Sequence, residues 1–256
     1  MERFISLRVL RVLVLSMLFV SVSGVFPRRG MTQDTVVAST SLTGAIAKAA
    51  GAGEVRVLTA GNISHPPEYD LKPSDMLKFE GANVVLYGGY EKMVSKLLET
   101  SRNENLLTLQ IDTTASPENL MTQARKIAEI LKKEKEERAW EERFLGELKD
   151  LQKKLSPYSG KRAVVHFHAQ PFSRWAGLNV VQTIPPGELT PKSVADAIAQ
   201  KPDLVVDILH FPVAKVIAEN AQCRYVQVIN FPGIDNTVTL EDIFRYNSSQ
   251  LVKGLQ

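Results

Sequence analysis

The chain has 256 residues, enough for one large domain or for two lobes that each bury a core. Its 44% hydrophobic and 23% charged residues are those of a globular protein and exclude wholesale disorder. Five of the 31 basic but only one of the 28 acidic residues lie within residues 1–30, so the remainder carries a formal charge of −1 and offers no nucleic-acid footprint.

Residues 1–30 read as an export signal. Arg3, Arg8 and Arg11 form a positive start, Val12 to Val25 is mostly apolar, and Ser21, Ser23 and Gly24 suit a signal peptidase. An uncleaved membrane anchor is the alternative, with the apolar run extended back to Phe4. No cysteine lies near the end of that run, which excludes lipoprotein attachment at that point. The single cysteine, Cys223, has no internal disulfide partner and reads as a buried, inert thiol.

Strands are predicted at Thr35 to Ser39 and Val55 to Leu58, with a small-residue helix from Ser41 to Ala50 between them. Pro73-Ser74-Asp75 opens the next helix, proline at its first turn and aspartate favourable to its dipole. A strand at Val84 to Tyr87, a helix from Tyr90 to Thr100 and a strand at Leu106 to Ile111 complete a first lobe. From Pro117 to Leu155 no proline and only one glycine, Gly146, interrupt an apolar stripe at steps of three and four. That spacing predicts one linking helix, about 55–60 Å long if unbroken, whose run of mixed charges from Lys132 to Arg143 is a solvated face. The alternation then resumes, with strands at Ala163 to Phe167, Asn179 to Gln182, Leu204 to Ile208 and Tyr225 to Ile229. Helices are predicted at Phe172 to Gly177, Thr190 to Gln200, Val213 to Asn220 and Thr239 to Leu255. Alternating strands and helices imply largely parallel sheets. The fold class is therefore α/β, with two lobes of parallel-type sheets flanked by helices and joined by one long linker helix. The divisions are a signal or anchor at 1–30, a first lobe at 31–116, the linker at 117–156 and a second lobe at 157–256. Such a build holds its ligand between the lobes.

The segment from His65-Pro66-Pro67-Glu68-Tyr69 to Pro73-Ser74-Asp75 resembles the first metal-ligand loop of the zinc- and manganese-binding receptors of bacterial ABC importers. The family pattern there is His-x-Tyr-x-x-x-Pro-Ser-Asp, which puts Pro67 on the ligand position and His65 two residues before it. Counting back from Gly177-Leu178, with Phe172 on a family phenylalanine, puts the next family histidine at His166. Pro117 and Asn119, matched to the family's Asp-Pro-x-Asn, place Asp112 on another histidine position, and Asn230 stands at the late aspartate. Glu188-Leu189-Thr190-Pro191 and the helix from Thr239 through Tyr246-Asn247 also match, so the resemblance covers nearly all of residues 31–256.

What the resemblance implies is an exported solute-binding protein that closes on a divalent ion, Zn²⁺ or Mn²⁺, and delivers it to the membrane permease of an ABC importer. The implied ligands are His65, Asp112, His166 and Asn230, with Glu68, His168 and Asp235 as weaker candidates. A tetrahedral zinc site takes four nitrogen, sulfur or oxygen donors, so His65 would have to replace Pro67 by a shift of its loop. Each residue also has a plainer reading. His65 is equally a turn residue before Pro66-Pro67, Asp112 a helix cap (although Ser116 fits that role better), and His168 a cleft-lining residue. His210, beside Phe211-Pro212, reads as structural, and Trp140 and Trp175 as packing residues. No nucleophile elbow, phosphate loop, Cys-x-x-Cys or His-Glu-x-x-His motif is present, so no enzyme activity is expected. The expected receptor is a monomer that binds no nucleic acid. The alternative is a divergent member without metal capture, binding a metal chelate, another small ligand or a protein partner.

Overall fold

The computed structural model describes residues 35–59, 72–92, 94 and 106–256. The expected export signal, His65, Glu68 and most of the helix expected at Tyr90 to Thr100 lie outside the described residues.

Two four-stranded sheets, each wholly parallel, organise the chain. The first contains β1 (Thr35–Thr40), β2 (Glu54–Thr59), β3 (Val84–Tyr87) and β4 (Leu107–Gln110), in the order β2-β1-β3-β4. The second contains β5 (Arg162–His166), β6 (Asn179–Ile184), β7 (Leu204–Ile208) and β8 (Arg224–Val228), in the order β6-β5-β7-β8. The two orders are the same, so each sheet reverses its winding at one point, between β1 and β3 and between β5 and β7. Loops leaving the strand ends diverge there and leave a crevice.

Helices connect the strands: α1 (Ser41–Ala49), α2 (Pro73–Met76), α3 (Pro117–Leu131), α4 (Glu134–Leu155), α5 (Gln170–Trp175), α6 (Pro191–Ala199), α7 (Lys215–Ala221) and α8 (Leu240–Leu255). Their starts follow local chemistry. Thr40, Ser116, Thr190 and Thr239 each accept a backbone N–H from the first turn of the helix that follows.

The single helix expected over 117–156 is two helices. Lys132 adopts a left-handed conformation (φ 56°), and Lys133 N–H donates to Ala128 O at 2.8 Å. This is a Schellman-type stop made without glycine. The chain then doubles back, so that Arg125 of α3 forms a two-pronged ion pair with Glu141 of α4. Only α4, 22 residues and about 33 Å long, links the sheets.

The buried stripe of α4 is shared by both halves. Trp140, Phe144, Leu148 and Leu151 belong to one continuous apolar cluster that runs from Val36, Ile46 and Leu86 of the first half to Val165, Val206 and Phe244 of the second. Trp140 stacks on Phe144 at 4.9 Å, and Phe144 meets Phe244 of α8 edge-on at 5.5 Å. The outer sheet faces are covered separately, around Val37, Leu58 and Val85 in one half and Val164, Val205 and Ile217 in the other. Arg245 of α8 also pairs with Glu147 of α4.

Phe144 is fully buried at the centre of this cluster. Phe144→Ala is expected to cost about 3–5 kcal/mol through the cavity it leaves. Urea unfolding followed by circular dichroism reads the loss, which should move one cooperative transition rather than split it.

Candidate metal-binding cleft

The two switch points face one another across a cavity of about 630 Å³. Every described residue lining it follows the carboxyl end of a strand or closes one. Thr40 ends β1 and Leu42 follows it, Tyr90 follows β3, and Thr113 follows β4. His166 and His168 come from the end of β5, Pro186 and Gly187 follow β6, and Ile208, His210 and Phe211 come from the end of β7. Asn230 and Phe231 follow β8.

On the first wall a buried carboxylate sets the loop. Glu91 accepts N–H bonds from Gly88, Gly89 and Tyr90 and the hydroxyl of Ser39. Gly89 has φ +94°, a conformation that L side chains rarely adopt, so glycine is favoured in the turn that brings Tyr90 to the cavity. The walls touch directly where Ser41 Oγ donates to Pro232 O at 2.7 Å.

On the second wall another buried carboxylate has the same task. Asp207, the penultimate residue of the otherwise apolar β7, accepts from the backbone of Ile208, Val213 and Ala214 and from the Tyr225 hydroxyl. These bonds close the turn that carries His210 and Phe211. Burial, and then the Asp207 charge, push the Tyr225 phenol well up, so it stays a donor. Asn247 of α8 clamps the end of β8, donating to Ile229 O and accepting from Ile229 N–H, both at 2.8 Å, and so fixes the position of Asn230.

Four buried atoms on this wall have no hydrogen-bond partner in the protein: His166 Nε2, Asn230 Oδ1 and both ring nitrogens of His210. Buried polar atoms are nearly always paired, so a group of them at one cavity points to a ligand. His166 is 1% exposed, and its Nδ1 accepts the His168 N–H at 3.2 Å. That leaves the ring proton on Nε2. To ligate a cation through Nε2, the ring must shift its proton and give up a bond worth about 1 kcal/mol. Burial lowers the pKa of His166, His168 and His210, the last to about 4, so all three are neutral at pH 7. A neutral imidazole is the form that binds metal.

The structure brings together His166, His168 and Asn230 among the expected residues. Asp112 and Asp235 are exposed and are not among the cavity-lining residues. The Asp112 carboxylate instead accepts Thr114 N–H at 2.8 Å within its own turn, and its neighbour Thr113 faces the cleft. Asp235 sits in a left-handed turn (φ 49°). His210, expected to be structural, is a cleft residue, with its ring stacked on Phe231 at 3.7 Å. The sequence signal for it was Asp207, a carboxylate inside an apolar strand that had to be capping something. Among the described residues no three His, Cys, Asp or Glu side chains stand close enough to hold a metal ion together.

A ligand crevice between two parallel sheets, bridged by one helix, defines a two-lobed solute-binding receptor. Residues 36–253 match the model of the family described as zinc-uptake complex component A, periplasmic, and the chain belongs to that family. Its fold is that of a periplasmic metal-binding protein from Candidatus Liberibacter asiaticus (TM-score 0.70, 18% identity), covering 87% of this chain and 100% of that one. The manganese-bound form of that protein gives a TM-score of 0.69 at 17% identity, with the same coverage. The solute-binding protein FpvC of Pseudomonas aeruginosa, in complex with Mn²⁺, matches at a TM-score of 0.69 and 15% identity, covering 88% of this chain and 98% of that one. No curated protein matches at a significant level.

The depressed His210 pKa carries a stability consequence. Between about 4 and the unfolded value of 6.5, the unfolded chain binds a proton that the folded chain does not. Stability of the metal-free protein should therefore be intact above pH 6.5 and fall steadily as the pH drops towards 4. Denaturation midpoints across that range should show the fall, and His210→Phe should reduce it, leaving the part due to His166 and His168.

Proposed function

We propose that the chain is an exported receptor that captures a divalent metal ion, zinc or manganese, in the cleft between its sheets and hands it to the permease of an ABC importer. Membership of the zinc-uptake family supports this reading. The observation that carries it is the pair of unpartnered buried atoms, His166 Nε2 and Asn230 Oδ1, on one wall of the interlobe cavity. Both stand at positions where the family resemblance puts ligands. His65 and Glu68 remain proposed contributors from the first lobe, and His168 is a neighbouring imidazole, its ring centroid 5.5 Å from that of His166. Asp112 and Asp235 would join only if their loops rearranged. The receptor role leaves catalysis without a place, and we propose a monomer with no nucleic-acid partner, directed to the periplasm by residues 1–30.

The size of the cavity favours a second reading. About 630 Å³ is the scale of a small organic ligand rather than of a bare ion, and its described walls include Leu42, Tyr90, Ile208, Phe211 and Phe231. A metal held by a small chelator fits such a space.

The two readings part in one experiment. After chelator stripping, calorimetric titration with Zn²⁺ and Mn²⁺ should show one tight site, and His166→Ala should weaken it by at least about tenfold, one missing donor being worth 1.4 kcal/mol or more. A folded, stripped protein that ignores both free ions but takes up Zn²⁺ premixed with citrate would favour the chelate. Indifference to all of these would defeat both.

A further inference from the structure

Resting on the metal-capture reading, we propose that His210 is a direct nitrogen ligand of the cargo ion, paired with His166 across the switch point of the second sheet. β5 and β7 are adjacent and paired through Val165 and Val206, so the loops that leave them border one crevice. His166 ends β5 and His210 stands two residues beyond the end of β7, both lining the same cavity. Ligands of open parallel sheets bind where neighbouring strands send their loops apart.

The two imidazoles differ in readiness. His166 must give up the bond at Nδ1 before Nε2 can accept a cation. His210 has both nitrogens buried and without a protein partner, so either can carry the proton while the other presents its lone pair. Its ring is held by the stack on Phe231, and its loop by the Asp207 carboxylate through Val213 and Ala214. A ligand fixed by packing on one side and backbone bonds on the other is pre-organised. Asn230 Oδ1, which lines the same cavity and follows the Ile229 backbone pinned by Asn247, supplies an oxygen. Two imidazoles and one amide oxygen are a donor set for zinc, nickel or copper more than for manganese, which suits carboxylates and water. Water or a first-lobe side chain would complete the shell.

The test uses the purified, chelator-stripped protein with Zn²⁺, Mn²⁺ and Co²⁺ as probes. Wild type, His210→Phe, His210→Asn and His166→Ala are compared with the control Lys192→Ala, at an exposed residue of α6 outside the cavity lining, and circular dichroism confirms the fold of each. The expected result is a loss of Zn²⁺ affinity in both His210 variants larger than the about 10–100-fold caused by losing an outer-shell partner. Mn²⁺ affinity should change less, and the Co²⁺ d–d absorption should shift as a nitrogen donor is lost. If both variants bind Zn²⁺ as wild type does, with an unchanged Co²⁺ spectrum, while His166→Ala does not bind, His210 is structural and the proposal fails alone. If wild type takes up none of the three ions, the metal-capture reading fails and takes the proposal with it. Should His210→Phe misfold, His210→Asn and the wild-type Co²⁺ spectrum still decide the question, because a spectrum with fewer than two nitrogen donors overturns it.

Discussion

The apolar face of α4 is the constraint on which the rest of the structure depends. A helix with one buried stripe must bury it against something, and here one stripe is buried against both halves at once. Trp140 and Phe144 continue the interior of the first sheet, while Phe144 meets Phe244 and so enters the interior of the second. The relative placement of the two switch points, and therefore the cavity between them, follows from that shared contact.

Within this frame, the two walls are built by the same device. Each has a buried carboxylate near the end of a strand, Glu91 and Asp207, that gathers backbone N–H groups and shapes a turn. Neither carboxylate lines the cavity. Each spends its acceptor capacity on the loop that presents other side chains, Tyr90 in one wall and His210 in the other. Carboxylates placed in this way account for a cleft whose described lining is neutral although the chain is rich in charge.

Much of the architecture was legible because alternating apolar runs and helical stripes carry their period on the surface of the sequence. β1, β3 and β7 stand where the runs of valine and leucine put them, and α8 starts at its Thr239 cap. The break between α3 and α4 was not legible. It falls at Lys132-Lys133, with neither glycine nor proline, and the two helices it separates are joined by contacts distant in sequence such as Arg125 with Glu141. The described lining of the cleft was half legible. His166 and Asn230 could be located by spacing from neighbouring motifs. Asp112 stands outside the described lining because a carboxylate two residues before a backbone N–H can satisfy itself locally, as it does with Thr114. His210 was obscured by its position in a turn, where its ring packs on the sequence-distant Phe231 and its loop is shaped by Asp207 through Val213 and Ala214.

The shared interior also governs how the receptor can move. Receptors whose lobes are tied by strands or loops can swing about a hinge with each interior intact. Here a large swing would tear open one hydrophobic cluster, because the same side chains serve both halves. Motion is left to parts that no common core restrains: the strand-end turns and the Ser41–Pro232 contact that joins the walls. A permease that unloads this receptor would have to act as a lockpick at the rim rather than as a lever on the lobes.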